Sequence, residues 1–202
     1  MGAGLVATEV DVLDDSAVRR FAAEHEETDV LVHTPAMNVR KSMLDYTLDE
    51  FDRVVRLNLR STFHLIQAFG RTMVARQRGS IVTFSSIRAV TVEPGQSVYA
   101  ATKSGLESLV RTAAGEFGPA NVRVNAIRPG VVETPLTQQL KNNRDWYDAY
   151  ASKSALGRWA RADELAGAVV FLASDASSYV TGTTIAVDAG WTAIDGRYRP
   201  PL

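Results

Sequence analysis

Tyr99 and Lys103 stand four residues apart in Tyr99-Ala100-Ala101-Thr102-Lys103, a spacing that puts both side chains on one face of a helix. A phenol with a pKa near 10 is only about 0.1% ionised at neutral pH and exchanges protons poorly there. An ammonium within about 4–6 Å lowers that pKa by roughly 1–3 units, raising the phenolate fraction up to several hundredfold. A serine hydroxyl opposite holds a carbonyl or alcohol oxygen in line with the proton. Such a trio suits proton transfer at an alcohol oxygen while a hydride moves on carbon. With six Tyr and four Lys in the chain, chance alone would produce this spacing about 0.1 times. The pair therefore needs support from its neighbours.

Composition narrows the alternatives. The 202 residues suit one domain. With no cysteine, a disulfide framework, a thiolate nucleophile, an iron–sulfur cluster and a thiolate zinc site are excluded. His25, His33 and His64 fall at unrelated spacings and predict no metal site. Lys+Arg 22 against Asp+Glu 23 leaves a net charge of −1, so nothing predicts nucleic acid or a membrane surface as partner. No run approaches the roughly 20 apolar residues of a membrane span. The opening residues lack the features of a signal peptide, and a cytoplasmic protein is expected.

The elements that must position the trio alternate short apolar runs with amphipathic segments, the signature of βαβ units and a parallel sheet. A strand is expected over 5–12, then a helix capped by Asp14, Asp15 or Ser16 that buries Val18, Phe21 and Ala22. Residues 29–32 read as a buried strand. Thr47-Leu48-Asp49-Glu50 reads as a capping box opening a long helix that ends near Gly79. A strand over 81–84 delivers Ser85 and Ser86 at its carboxyl end. A second long helix over 97–117 carries Tyr99 and Lys103 and stops at Gly118-Pro119. Strands over 122–127 and 184–188 and a helix over 162–173 follow, with mixed short pieces over 131–161. In such sheets ligands bind at the carboxyl ends of the strands. Asp11, His33-Thr34-Pro35, Ser85-Ser86 and Arg128-Pro129-Gly130 are predicted to share that rim.

These residues resemble the short-chain dehydrogenase/reductase family, single-domain type. Asn58 stands in Leu57-Asn58-Leu59, Ser86 thirteen positions before Tyr99, and Tyr-x-x-x-Lys at 99–103. The run from Val124 to Pro135, Val180-Thr181-Gly182 and Val187-Asp188-Ala189-Gly190-Trp191 complete the likeness, which extends from Leu5 to about Thr192. The resemblance implies NAD or NADP as cofactor and Tyr99 as general acid/base. Lys103 would hold the nicotinamide ribose and lower the Tyr99 pKa, Ser86 would orient the substrate, and Asn58 would interrupt its helix to hold a proton-relaying water. Asp11 and Val12 would flank the adenine. Ala36 would lie against the ribose, Pro129, Gly130 and Val132 beside the nicotinamide, and Thr134 on its carboxamide. A Rossmann-type α/β domain over 1–202 and a homodimer or homotetramer are implied, with Leu106, Leu109 and Val110 as candidate interface residues. Some members that it resembles act on sugar acids, like gluconate 5-dehydrogenases, and others on 3-oxoacyl carrier-protein substrates.

Two departures stand out. The family's Thr-Gly-x-x-x-Gly-x-Gly phosphate loop does not occur, and alignment on Asp11 starts the chain just before the family's third strand. A sheet shortened at its N-terminal side is expected, with the first two strands and helices missing. About 14 Å, three strand spacings, would then separate residues 5–12 from 29–32. Either the chain belongs to a longer one, or the first strand slides over to pair with 29–32, or a second chain covers the edge. Loss of the loop predicts weak cofactor binding, and a catalytically silent subunit or binding scaffold is the alternative function. The second departure is His33-Thr34-Pro35-Ala36 in place of Asn-Asn-Ala-Gly, which removes one backbone donor and adds a methyl near the ribose. Arg40, Lys41, Arg88 and Arg128 predict positive charge at the substrate end, suited to an alcohol or ketone that carries a carboxylate.

Overall fold

The computed structural model describes residues 4–196. Its main sheet has four parallel strands in the order β1-β2-β3-β6: β1 Val30–His33, β2 Gly79–Phe84, β3 Val122–Pro129 and β6 Thr184–Val187. A two-stranded parallel ribbon, β4 Val132–Glu133 with β5 Ala160–Arg161, lies between β3 and β6 in sequence. The helices are α1 Asp15–Glu24, α2 Leu48–Val55, α3 Ser61–Arg76, α4 Ser97–Phe117, α5 Gln138–Lys141, α6 Arg144–Lys153 and α7 Ala166–Ala173. Among the described residues no helix is long and apolar enough to cross a membrane.

Side-chain alternation along the strands divides the core between the two faces of the sheet. Ile81, Val122, Val124 and Ala126 pack with Val18, Phe69, Met73, Leu106 and Val110 from α1, α3 and α4. Val82 and Ile127 point the other way, onto Leu172 of α7. Each of these side chains other than Ala126 contributes roughly 1.5–3 kcal/mol by leaving water. One face is thus covered by α1, α3 and α4, and α7 covers the middle of the other, while Val30 and Val32 at the β1 edge stay exposed. Leu106 and Val110 are consumed in this core and offer no interface, which corrects their assignment to an oligomer face.

Local signals explain most boundaries. Asp14 caps α1 by accepting from the backbone N–H groups of Ser16 and Ala17. Thr47 and Glu50 form the reciprocal capping box of α2. The long helix that follows is not continuous: residues Arg56–Arg60 form one wide π turn, with Asn58 at its centre, between α2 and α3. Such turns often mark functional positions.

The expected strand over 5–12 does not form. Leu5 and Val6 are fully exposed, and the segment pairs with no strand. Asp11 instead serves the turn into α1, its carboxylate accepting from Leu13 N–H at 2.9 Å and its carbonyl from Asp14 N–H at 3.1 Å. A strand exists only through its ladder, and this segment meets no strand edge. It also does not slide onto β1, where Val30 and Val32 remain exposed.

Candidate active site

A cavity of about 700 Å³ opens at the carboxyl ends of β1, β2 and β3. It is lined by Ala36 after β1, Ser86 and Arg88 after β2, Tyr99 and Lys103 of α4, and Pro129, Gly130, Val132 and Thr134 around the end of β3. Tight packing shapes the floor: a Cβ on Gly130 would lie 2.8 Å from the Asp188 Cα, so only glycine lets the β3 end sit against the chain after β6.

Ser86 and Tyr99 face this cavity together, the serine hydroxyl acting on the phenol from close by. Burial nevertheless pushes the phenol above its ordinary pKa, the Ser86 hydroxyl and the Arg88 charge pulling only partly the other way. This corrects the expectation that Lys103 lowers the Tyr99 pKa. The Lys103 stem carries its ammonium past the ring, 5.7 Å from the ring centroid, to donate to the Phe84 carbonyl at 2.7 Å. The ammonium itself is buried, and that burial brings its pKa down to about 8. The spacing had placed the two groups on one face but could not say where the longer side chain ends.

Asn58 does not line the cavity. Its Oδ1 accepts from Met37 N–H at 2.8 Å, and its Nδ2 donates to Met37 O at 2.8 Å and to Thr102 Oγ1 at 3.2 Å. It ties the loop after β1 to the residue preceding Lys103. Both amide hydrogens have protein partners, so the side chain itself leaves no donor for a relaying water. Thr134 shares its hydroxyl with Thr137 at 3.2 Å. Asp11 and Val12 lie apart from the cavity, Asp11 exposed and Val12 packed against the main core. His33 is buried, and its Nε2 has no hydrogen-bond partner among the described residues. Burial first, and the Lys103 charge second, bring its pKa down to about 4.

The substrate end carries a cluster that motifs alone did not disclose. Arg40 Nη1 meets Glu93 Oε1 at 2.5 Å, and Tyr150 OH donates to the same oxygen at 2.6 Å. Arg88 pairs with Glu93 Oε2 and lies over the rings of Tyr150 and Trp191. Burial alone would raise the Glu93 carboxyl, but the Tyr150 and Arg40 hydrogen bonds and the Arg88 charge hold it below its ordinary pKa. Two guanidiniums against one carboxylate leave this wall positive. The other two expected cations are elsewhere: Lys41 pairs with Glu50 and Arg128 with Glu107.

A family model described as enoyl-(acyl carrier protein) reductase matches residues 1–192. A 3-oxoacyl-[acyl-carrier-protein] reductase of Thermotoga maritima is 35% identical over 173 residues, 86% of this chain and 70% of its own length. A cyclopentanol dehydrogenase of Comamonas testosteroni is 36% identical over 177 residues, 88% of this chain and 71% of its own. A gluconate 5-dehydrogenase from Burkholderia cenocepacia, solved with NADP and tartrate, superposes with a TM-score of 0.88 at 32% identity, covering 91% of this chain and 74% of its own. The chain belongs to the short-chain dehydrogenase/reductase family.

Enzymes of this family use NAD or NADP, and the cavity of this short-chain dehydrogenase/reductase fits the nicotinamide end. It offers a buried ammonium with hydrogens beyond the one given to Phe84, together with the hydroxyls of Ser86, Tyr99 and Thr134 and the Pro129–Gly130 backbone. Asp11 and Val12, expected on the adenine side, do not extend it.

Proposed function

We propose that this short-chain dehydrogenase/reductase transfers a hydride between NAD(P) and a secondary alcohol or ketone, with Tyr99 as general acid/base. The observation that carries the reading is that Ser86, Tyr99 and Lys103 line one cavity wall, with the Lys103 ammonium buried one helical turn beyond the phenol. When bound, NAD(P) gives or accepts the hydride. The remaining work falls to the chain's own side chains. Ser86 holds the substrate oxygen beside the phenol. In reduction Tyr99 gives its proton to that oxygen, and a phenol kept protonated by burial suits the acid role. In oxidation it removes the proton, and the Arg88 charge and the Ser86 hydroxyl favour the phenolate. Lys103 would hold the ribose hydroxyls, Ala36, Pro129, Gly130 and Val132 would flank the nicotinamide, and Thr134 would meet its carboxamide. Asp11 and Val12 would flank the adenine. Asn58 would support Lys103 from beneath, through Thr102 and the wide helical turn.

The positive wall of Arg40 and Arg88 favours a substrate that carries a carboxylate, such as a sugar acid. The gluconate 5-dehydrogenase likeness supports that choice. The same reading makes the protein a cytoplasmic homodimer or homotetramer, with exposed Phe51 and Phe63 on α2 and α3 as candidate contacts. The deciding experiment is Tyr99→Phe assayed with NAD and NADP on ketones and sugar acids. Turnover is expected to fall by at least about 10²-fold with an unchanged melting temperature. Retained turnover overturns the reading.

A further inference from the structure

Tyr99, Lys103 and Glu107 follow one another at four-residue steps along α4, and all three reach the end of β2. Tyr99 meets Ser86, Lys103 holds the Phe84 carbonyl at 2.7 Å, and Glu107 Oε1 accepts from Ser85 Oγ at 2.6 Å. Phe84 and Ser85 are thus each held by a different side chain of one helix, and Tyr99 stands beside the next residue, Ser86. Glu107 also grips β3: Arg128 Nε donates to Oε1 at 2.9 Å and Nη2 to Oε2 at 2.7 Å. Arg128 directly precedes Pro129 and Gly130 on the cavity floor.

The Glu107 carboxylate is buried and does not line the cavity. A buried ion pair is a weak device for stability, because desolvating both charges costs several kcal/mol and apolar replacements often serve as well. A bidentate pair does impose one geometry. Geometry is what this place needs. The ladder between β2 and β3 ends here with the Ser85 N–H bond to the Ile127 carbonyl at 2.7 Å, so backbone pairing no longer sets the register of Ser86. A reacting group misplaced by about 1 Å loses roughly 10²-fold in rate.

We propose that Glu107 is a positioning residue that clamps Ser85 and Arg128, so that Ser86 and the Pro129–Gly130 turn meet Tyr99 and Lys103 in one register. This rests on the Tyr99 reading above. The test compares Ser85→Ala, which removes one hydrogen bond and keeps the ion pair, with the double variant Glu107→Met/Arg128→Met, which removes the ion pair without leaving a lone buried charge. Tyr99→Phe is the control. Expected are a kcat about 3–10-fold lower in Ser85→Ala and about 10–100-fold lower in the double variant. Substrate KM and melting temperature should stay near those of the parent. NADPH affinity, read from nicotinamide fluorescence without any turnover, should weaken at least about threefold in the double variant and hold in Ser85→Ala.

A double variant that folds with parental kcat and NADPH affinity overturns the proposal. So does parental kcat in Ser85→Ala if the double variant fails to fold. Should the parent chain give no turnover, the NADPH titration of the double variant decides, parental affinity counting against the clamp. Full turnover in Tyr99→Phe would instead overturn the oxidoreductase reading, so the two failures are distinguishable.

Discussion

The Lys103 ammonium is anchored to the Phe84 backbone carbonyl at 2.7 Å, inside the protein and one helical turn from the Tyr99 phenol. Its position is therefore set by strand β2 before any ligand arrives. Its charge is less secure, since burial brings its pKa down to about 8.

That value gives a pH signature. The cation is present below about pH 8 and disappears as pH rises through it. If the reaction needs the cation, kcat/KM falls on the alkaline side with the loss of one proton. Lys103→Arg carries a guanidinium that stays charged throughout this range. Its lower activity should lack that limb, and a pH–rate profile with the limb intact in Lys103→Arg would count against the assignment.

His33 predicts a stability change on the acid side. Its folded pKa lies at about 4, below the ordinary 6.5, so between these values the unfolded chain binds more protons than the native one. Stability contributed by the neutral ring is complete above pH 6.5 and drains away toward pH 4. The loss should reach about 2 kcal/mol at pH 5 relative to pH 7.5. Urea unfolding at both pH values would show this slope in the parent and a shallower one in His33→Asn; equal slopes would refute it.

A carboxylate-bearing substrate should depend on the positive wall. Arg40→Met keeps the aliphatic stem and removes one of the two cations that share Glu93. The KM for sugar acids is expected to rise about tenfold, the loss of a charge-assisted hydrogen bond worth about 1.5 kcal/mol, while that for neutral ketones stays within about twofold. Parallel steady-state assays decide it, and an equal change for both substrate types removes the anion reading.

Cofactor affinity of the 202-residue chain should be low. No Thr-Gly-x-x-x-Gly-x-Gly run occurs in it, so the backbone donors and helix N-terminus that would bind the pyrophosphate are not supplied by such a loop. Titration with NADPH should give a Kd well above the micromolar range. Micromolar binding would show that other groups suffice.

Much of the scaffold was readable because its punctuation is local. The helix carrying Tyr99 runs over Ser97–Phe117 as expected, since Gly118-Pro119 cannot continue it. The Thr47–Glu50 box likewise announced α2. Apolar residues 5–12 misled because periodicity records what could be buried, not whether a strand edge is there to receive it. The π turn at Arg56–Arg60 is invisible to periodicity, and only family likeness suggested a break at Asn58.

Residue types and spacing by themselves settled which helix face carries Tyr99 and Lys103, and that the ends of β1, β2 and β3 share a rim, but not that Asp11 would lie apart from it. Only the folded chain decided that Lys103 turns to Phe84 rather than the phenol, that burial raises the Tyr99 pKa, and that Ser85, Glu107 and Arg128 form one cluster. Desolvation and the reach of long side chains depend on atoms distant in sequence, and no local pattern encodes them.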